Sequence, residues 1–167
     1  MGKVALVIAP ENFRDEELFH TKESLEKAGH KTTIFSAKTG KCSGLLGGSA
    51  DAEKTIDELK ANDFDAVAFI GGMGAQIYLN DKKAHAIAKE FLDRGKILSA
   101  ICIAPGILAN AGLLKGKKAT CTPGQVGNLK KQGAIYTGSG VEVDGKIITA
   151  DGPRSAHKFG EAIAKMI

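Results

Sequence analysis

Apolar residues along the chain alternate between two patterns. Lys3–Ala9 (KVALVIA), Ala66–Ile70 (AVAFI) and Ile97–Ile101 (ILSAI) are short, nearly continuous apolar runs. Runs of that length without polar alternation predict strands buried on both faces. Lys31–Ala37 alternates as a further strand. Between the runs lie segments with helical rhythm. In Asp15–Ala28 the apolar positions are Leu18, Phe19, Leu25 and Ala28, acids fill the first turn, and Gly29 supplies a stop. Asp81–Arg94 ends at Gly95, Pro105–Leu114 starts almost directly after a strand, and Gln125–Gln132 and Ser155–Met166 read as two more helices. The glycine-rich stretch 38–50 reads as a loop or short hairpin, and Ile56–Leu59 as a brief helical segment. Lys118–Cys121 is a short strand. Ala134–Ala150 holds two or three strands around the turn sequence Val143–Lys146. No linker, repeat or low-complexity tract interrupts residues 1–167, so they are expected to form one domain. Strands alternating with helices predict an α/β fold with a mostly parallel sheet and helices on both faces. In such a fold chemistry is sought at the carboxyl ends of the strands.

Composition narrows the function classes. The 167 residues are 43% hydrophobic and 25% charged, enough for a core without disulfide staples. The net charge of +4 comes from scattered lysines and arginines, and aromatics make up 5%. Neither a basic stripe nor a stacking platform is present, which argues against nucleic acid as the primary ligand. No apolar stretch approaches the ~18 residues needed to span a bilayer, and the N-terminus lacks the layout of a secretory signal. Three cysteines make no disulfide framework, so a reducing, cytoplasmic setting is expected.

Three strand ends carry candidate chemistry. After Ala66–Ile70 comes Gly71-Gly72-Met73-Gly74. The third glycine of a dinucleotide loop is replaced by Ile77 and the motif does not follow the first strand, so no nucleotide cofactor is expected. The glycines are either a plain tight turn or a place where backbone N–H groups face an oxyanion. After Ile97–Ile101, Cys102 sits between strand and helix with Ile103-Ala104-Pro105 following. This spacing predicts a sharp turn that lifts the side chain above the sheet, a nucleophile elbow, with the helix N-terminus favouring thiolate and lowering its pKa from ~8.5 towards ~4–7. The plainer alternative is a small buried cysteine. After the first strand, Glu17 lies beside Leu18 and Phe19 at the buried boundary, either aimed at Cys102 or solvated like its neighbours Asp15 and Glu16.

Taken together, ALVIAPENFRDEEL, AVAFIGGMGAQ, SAICIAPGILANAGLLKGKKAT and VEVDGKIITADGP resemble the ThiJ/PfpI family, a glutamine-amidotransferase-like group that includes deglycases and intracellular proteases. The resemblance covers essentially the whole chain. It implies a flavodoxin-like three-layer sandwich, usually a homodimer, with Cys102 as nucleophile, Glu17 as its hydrogen-bonded acid, and the N–H groups of Gly72 and Ile103 as an oxyanion hole. Three departures matter. Ile103 stands where the protease branch has histidine, and Gln76 where that branch has a glutamate. Cys121-Thr122-Pro123 likewise lacks the histidine frequent in the deglycase branch.

Among the histidines, His20 shares a helix face with Glu17 and is the one able to reach the same pocket, although a partly buried helix histidine is the ordinary reading. His30, His85 and His157 read as surface residues. Cys42 is expected to pack, and Cys121 to be either a second thiol or a small filler. No metal-ligand spacing occurs. The resulting expectation is a cysteine-dependent hydrolase or lyase, deglycase- or glyoxalase-like, acting on small carbonyls or glycated protein. The alternatives are a redox-sensing stress protein or chaperone, and an amidase or peptidase.

Overall fold

The computed structural model describes all 167 residues. The strands are β1 (Lys3–Val7), β2 (Glu11–Phe13), β3 (Lys31–Ser36), β4 (Gly40–Gly44), β5 (Ser49–Ala52), β6 (Lys54–Thr55), β7 (Ala66–Phe69), β8 (Ile97–Ile101), β9 (Lys118–Ala119), β10 (Ile135–Tyr136), β11 (Val141–Asp144) and β12 (Ile147–Ala150). The helices are α1 (Asp15–Lys27), α2 (Lys82–Asp93), α3 (Pro105–Asn110), α4 (Val126–Lys131) and α5 (Ala156–Met166). The central sheet has the order β11-β12-β8-β7-β1-β3-β6. Every pairing in it is parallel except β11 with β12. Reading β3-β1-β7-β8-β12 across the middle gives the doubly wound, flavodoxin-like order, whose switch point lies between β1 and β7.

The apolar runs are continuous because both faces of the sheet are covered. On β1 and just past its end, Ala5, Val7 and Ala9 face a cluster that includes Ile87 and Phe91 of α2 and Ile107 and Leu108 of α3. Val4, Leu6 and Ile8 face the opposite cluster, with Leu18 and Leu25 of α1 and Phe159 and Ile163 of α5. The one polar residue in the β8 run, Ser99, is fully buried and donates to the Val67 carbonyl at 2.7 Å. A side chain at Gly160 would lie 2.8 Å from Ser24 Cβ, so α1 and α5 meet at backbone range there.

Several elements differ from the sequence expectation. Residues 38–50 form the β4–β5 hairpin, and β2, which no pattern announced, pairs with β4 in a small separate sheet. The helix expected over Pro105–Leu114 stops at Asn110, because the chain turns at Gly112 with φ +78°. The strand at Lys118–Cys121 shrinks to two residues paired with β10. Cys42 is buried in the core on the α1/α5 side.

Asp15 fastens the hairpin to the start of α1. Its two carboxylate oxygens accept the N–H groups of Leu46 at 2.8 Å and Gly48 at 2.7 Å. Removing both acceptors leaves two loop amides without partners, each bond contributing roughly 1–3 kcal/mol when a charged group is involved. Asp15→Ala is therefore expected to lower stability by about 2 kcal/mol and to speed amide exchange at Leu46 and Gly48 while leaving Glu17's neighbours protected. Unchanged exchange at both amides would contradict the role given to Asp15.

Candidate active site

The carboxyl ends of β1, β7 and β8 converge on one small region. α1 begins soon after β1 and presents Glu17 in its first turn, where the side chain is fully buried. Glu17 Oε1 accepts the Gly71 N–H at 2.9 Å, while the Gly71 carbonyl accepts the Arg14 N–H at 2.9 Å. The start of α1 thus grips the peptide that leaves β7 from both sides. A side chain at Gly71 would overlap Glu17 Oε1 and lie 2.8 Å from Cys102 Cβ, so glycine is what lets the acid and the cysteine meet. Gly72 adopts φ +106°, with its Cα packed against the backbone of Asn12, Phe13 and Arg14.

Cys102 turns the chain from β8 into α3 with φ +65°, a conformation that a non-glycine residue holds only under constraint. The constraint comes from both sides: its N–H donates to the Ala150 carbonyl at 2.9 Å, and its carbonyl accepts the Thr122 N–H at 2.9 Å. The sulfur lies near the Ile103 N–H, the Thr122 side chain and the Glu17 carboxyl. Neither the Gly72 nor the Ile103 N–H donates to a backbone carbonyl, leaving both amides free at the turn.

The electrostatics differ from the expected helix-activated thiolate. Burial raises Glu17 from 4.5 to about 7, against the lowering effect of the nearby Cys102 thiol, of the hydrogen bond from Gly71 and of the Arg14 charge. Burial also pushes the Cys102 thiol up to about 12, followed by the negative charge of Glu17. A helix of six residues supplies too little field to overcome desolvation next to a carboxylate. The two groups titrate as a unit that takes one negative charge near pH 7 and resists a second. Glu17 Oε2 is buried without a hydrogen-bond partner, so the second oxygen of this acid is free to carry a proton.

The remaining predicted residues fall elsewhere. His20 is half-buried and stacks on His157, with ring centroids 4.2 Å apart and an 11° interplanar angle. His30 and His85 are half-buried rather than free at the surface: His30 Nδ1 accepts the Gly2 N–H at 2.9 Å, and His85 Nε2 lies 2.8 Å from the Leu79 carbonyl. Cys121 is 1% exposed and belongs to the core on the α2/α3 side, where burial lifts its pKa to about 12. It packs as a filler. No three His, Cys, Asp or Glu side chains converge as a metal site.

The model of the DJ-1/PfpI family matches residues 2–166. The chain belongs to the DJ-1/PfpI family. An uncharacterised protein of Methanocaldococcus jannaschii is 46% identical, over 99% of this chain and 82% of that one. A deglycase of Thermococcus kodakarensis is 30% identical over 97% of this chain and 98% of its own length. Among solved structures, the ThiJ/PfpI domain protein of Brachyspira murdochii superposes with a TM-score of 0.96 at 35% identity, covering 98% of this chain and 94% of that one. The family resemblance read from the four motifs is thereby shown, and so is the fold it implied.

Sequence reasoning passed over two participants in this DJ-1/PfpI-type site. Thr122 was noted as flanking an absent histidine, yet its hydroxyl is what faces the sulfur. Arg14 stands at the N-cap of α1, its charge within reach of both Glu17 and Cys102. Its signal was a lone cation opening an acidic run.

The raised carboxyl makes stability depend on pH. Below 4.5 Glu17 is protonated in both states. Between 4.5 and about 7 the unfolded chain loses the proton while the folded protein keeps it, so stability falls as pH rises through that window and stays lowered above it. Glu17→Gln removes this term. The variant's stability relative to wild type is expected to improve by on the order of 2–3 kcal/mol between pH 4.5 and pH 8 in urea titrations. A difference that does not change with pH would mean that Glu17 is ionised throughout.

Proposed function

We propose that Cys102 and Glu17 form a thiol–carboxyl pair acting on small 2-oxoaldehydes such as methylglyoxal and on their adducts with thiols and amines, a deglycase- or glyoxalase-like reaction. The observation that carries this reading is the buried Glu17 with one oxygen held by Gly71 and the other unpartnered beside the cysteine. The deglycase name of the Thermococcus kodakarensis relative supports the reaction class.

The steps balance within the substrate and one water. The Cys102 thiol adds to the aldehyde carbon, its proton passing through Glu17 to the carbonyl oxygen, and a hemithioacetal forms. With the pair's single negative charge on Glu17 after this relay, its carboxylate takes the proton from that carbon and returns it to the neighbouring ketone carbon, while the hydroxyl proton of the first carbon moves to the former ketone oxygen. The first carbon is oxidised to a thioester as the second is reduced to an alcohol, so no external oxidant is needed. Water hydrolyses the thioester, releasing a 2-hydroxy acid and the free thiol. The free N–H groups of Gly72 and Ile103 are assigned to the oxygen that gains charge at each addition. A pair that shares one negative charge suits this sequence, since the same acid donates and then accepts.

A peptidase would need a group to protonate a leaving amine at Cys102, and Ile103 occupies the adjacent position while His20 is engaged with His157. The redox-sensor reading needs the same accessible thiol at Cys102, and turnover of a carbonyl substrate separates the two. Homodimerisation through the hairpin belongs to the same proposal: Phe19, Leu45 and Leu46 are 37%, 39% and 61% exposed where the hairpin meets α1.

Wild-type protein is expected to convert methylglyoxal to lactate and to leave casein intact. Cys102→Ser should abolish conversion. Glu17→Gln should still be alkylated by iodoacetamide yet turn over at least about 100-fold more slowly, the lower end of the range for lost acid–base catalysis. Wild-type turnover by Glu17→Gln, or casein cleavage that disappears in Cys102→Ser, would refute the assignment. Light scattering at micromolar concentration should give twice the chain mass, and a monomer mass would remove the dimer.

A further inference from the structure

Four side-chain amides form a continuous line over α3 and α4. Asn128 Nδ2 donates to Gln125 Oε1 at 3.0 Å and to Asn110 Oδ1 at 3.0 Å. Asn110 Nδ2 in turn donates to Asn80 Oδ1 at 3.0 Å and to the Leu79 carbonyl at 3.0 Å. An amide nitrogen has two hydrogens, and both asparagines use both of theirs. Flipping either amide would set oxygen against oxygen, so each is held in one orientation. Asn80 is exposed and the other three are half-buried. Neutral hydrogen bonds in such places add little net stability, because water competes for each of them. What they fix is the relative position of the segments they join.

Those segments all lead from the candidate site. Asn80 follows the turn Met73–Tyr78, which is capped by Gly72. Asn110 ends α3, the helix entered through Cys102 and Ile103. Gln125 ends the turn Pro123–Gln125, which is capped by Thr122, and Asn128 lies in α4 directly after it. The fit is tightest at Gln125. A side chain at Gly106 would overlap Gln125 Oε1, so this amide rests on the backbone of α3. Short links connect that contact to the sulfur. The Gly106 N–H donates to the Ile103 carbonyl at 2.9 Å, and the Gln125 N–H donates to the Thr122 carbonyl at 3.0 Å. The Thr122 N–H donates to the Cys102 carbonyl at 2.9 Å. That last bond ties the turn to the cysteine at one point, and a segment tied at one point can still pivot about it. Gln125 on Gly106 adds a second point one helical turn further on. The bond from Asn128 keeps the Gln125 side chain from changing rotamer.

We propose that Gln125 is a positioning residue for the Cys102 site: oriented by Asn128 and Asn110, it holds the Pro123–Gln125 turn against Gly106 and thereby sets the Thr122 side chain beside the sulfur. Its part in turnover rests on the carbonyl reading of Cys102. Its part in placing Thr122 at the sulfur does not.

Alkylation of Cys102 by iodoacetamide, followed against pH with Cys102→Ser as the blank, reads the sulfur directly. Burial opposes the thiolate and the Thr122 side chain favours it, so Thr122→Val is expected to move the profile to higher pH. Gln125→Leu keeps the size but loses the acceptor, and it should move the profile the same way, with alkylation about tenfold slower at neutral pH. Added to Thr122→Val, it should change the rate by less than about twofold, because its effect passes through the threonine. Gln125→Glu keeps an oxygen for Asn128 and should restore the wild-type rate to within about twofold, whereas Asn128→Asp sets an acceptor against two acceptors and should behave like Gln125→Leu. With methylglyoxal, the two disrupting variants should lose about tenfold in kcat at unchanged KM. A wild-type alkylation profile in folded Gln125→Leu, or full additivity with Thr122→Val, would overturn the proposal even where methylglyoxal is turned over. So would a Gln125→Glu rate as low as that of Gln125→Leu. If urea titration shows Gln125→Leu unfolded, Asn128→Asp and its cycle with Thr122→Val decide in its place. The expected alkylation cycle in a protein that leaves methylglyoxal untouched would sink the carbonyl reading alone.

Discussion

The hydrogen bond from the Gly71 N–H to Glu17 Oε1 is the constraint around which the candidate site is organised. It joins the helix that follows β1 to the turn that follows β7, across the switch point of the sheet. A carboxyl fully removed from water is costly unless it is neutral or well paired. Here one oxygen is satisfied by backbone and the other is left open. The arrangement holds together because Gly71 has no side chain to push the acid away from Cys102. Its energetic signature is the carboxyl raised to about 7, which places a change of charge at neutral pH inside a half-closed site.

The strain at Cys102 is the second half of the same design. A positive φ at a non-glycine residue persists only where the surroundings over-determine it. Ala150 and Thr122 do so by taking its N–H and serving its carbonyl. The reactive atom is therefore positioned by the rigid sheet, and the loops around it are free to differ.

Much of this was legible in the residues. The unbroken apolar runs at β1, β7 and β8 required burial on both faces, and Gly29 and Gly95 marked helix ends that the structure keeps, with φ +90° and +70°. The short spacing from Ile101 to Pro105 announced the elbow. What escaped depended on distance in space. β2 is three residues long and makes sense only against β4. The pKa of Cys102 was misjudged because a helix N-terminus can be read from sequence, whereas the depth of burial and the neighbouring carboxylate cannot. His20 shares a face with Glu17 as its spacing required, but its partner, His157, lies on the far end of the chain. Thr122 had the same obscurity, since its neighbour Cys102 is on a different strand-to-helix turn.

The bracket on Cys102 also sets an order of assembly in time. Ala150, which fixes the strained turn from one side, belongs to β12, the strand made after the other strands of the sheet. During synthesis from the N-terminus, β1, β7 and β8 can pair before that strand has left the ribosome. The cysteine turn cannot be locked until it has. Until Ala150 has emerged, the Cys102 N–H lacks its partner and the strained turn is held from the Thr122 side alone.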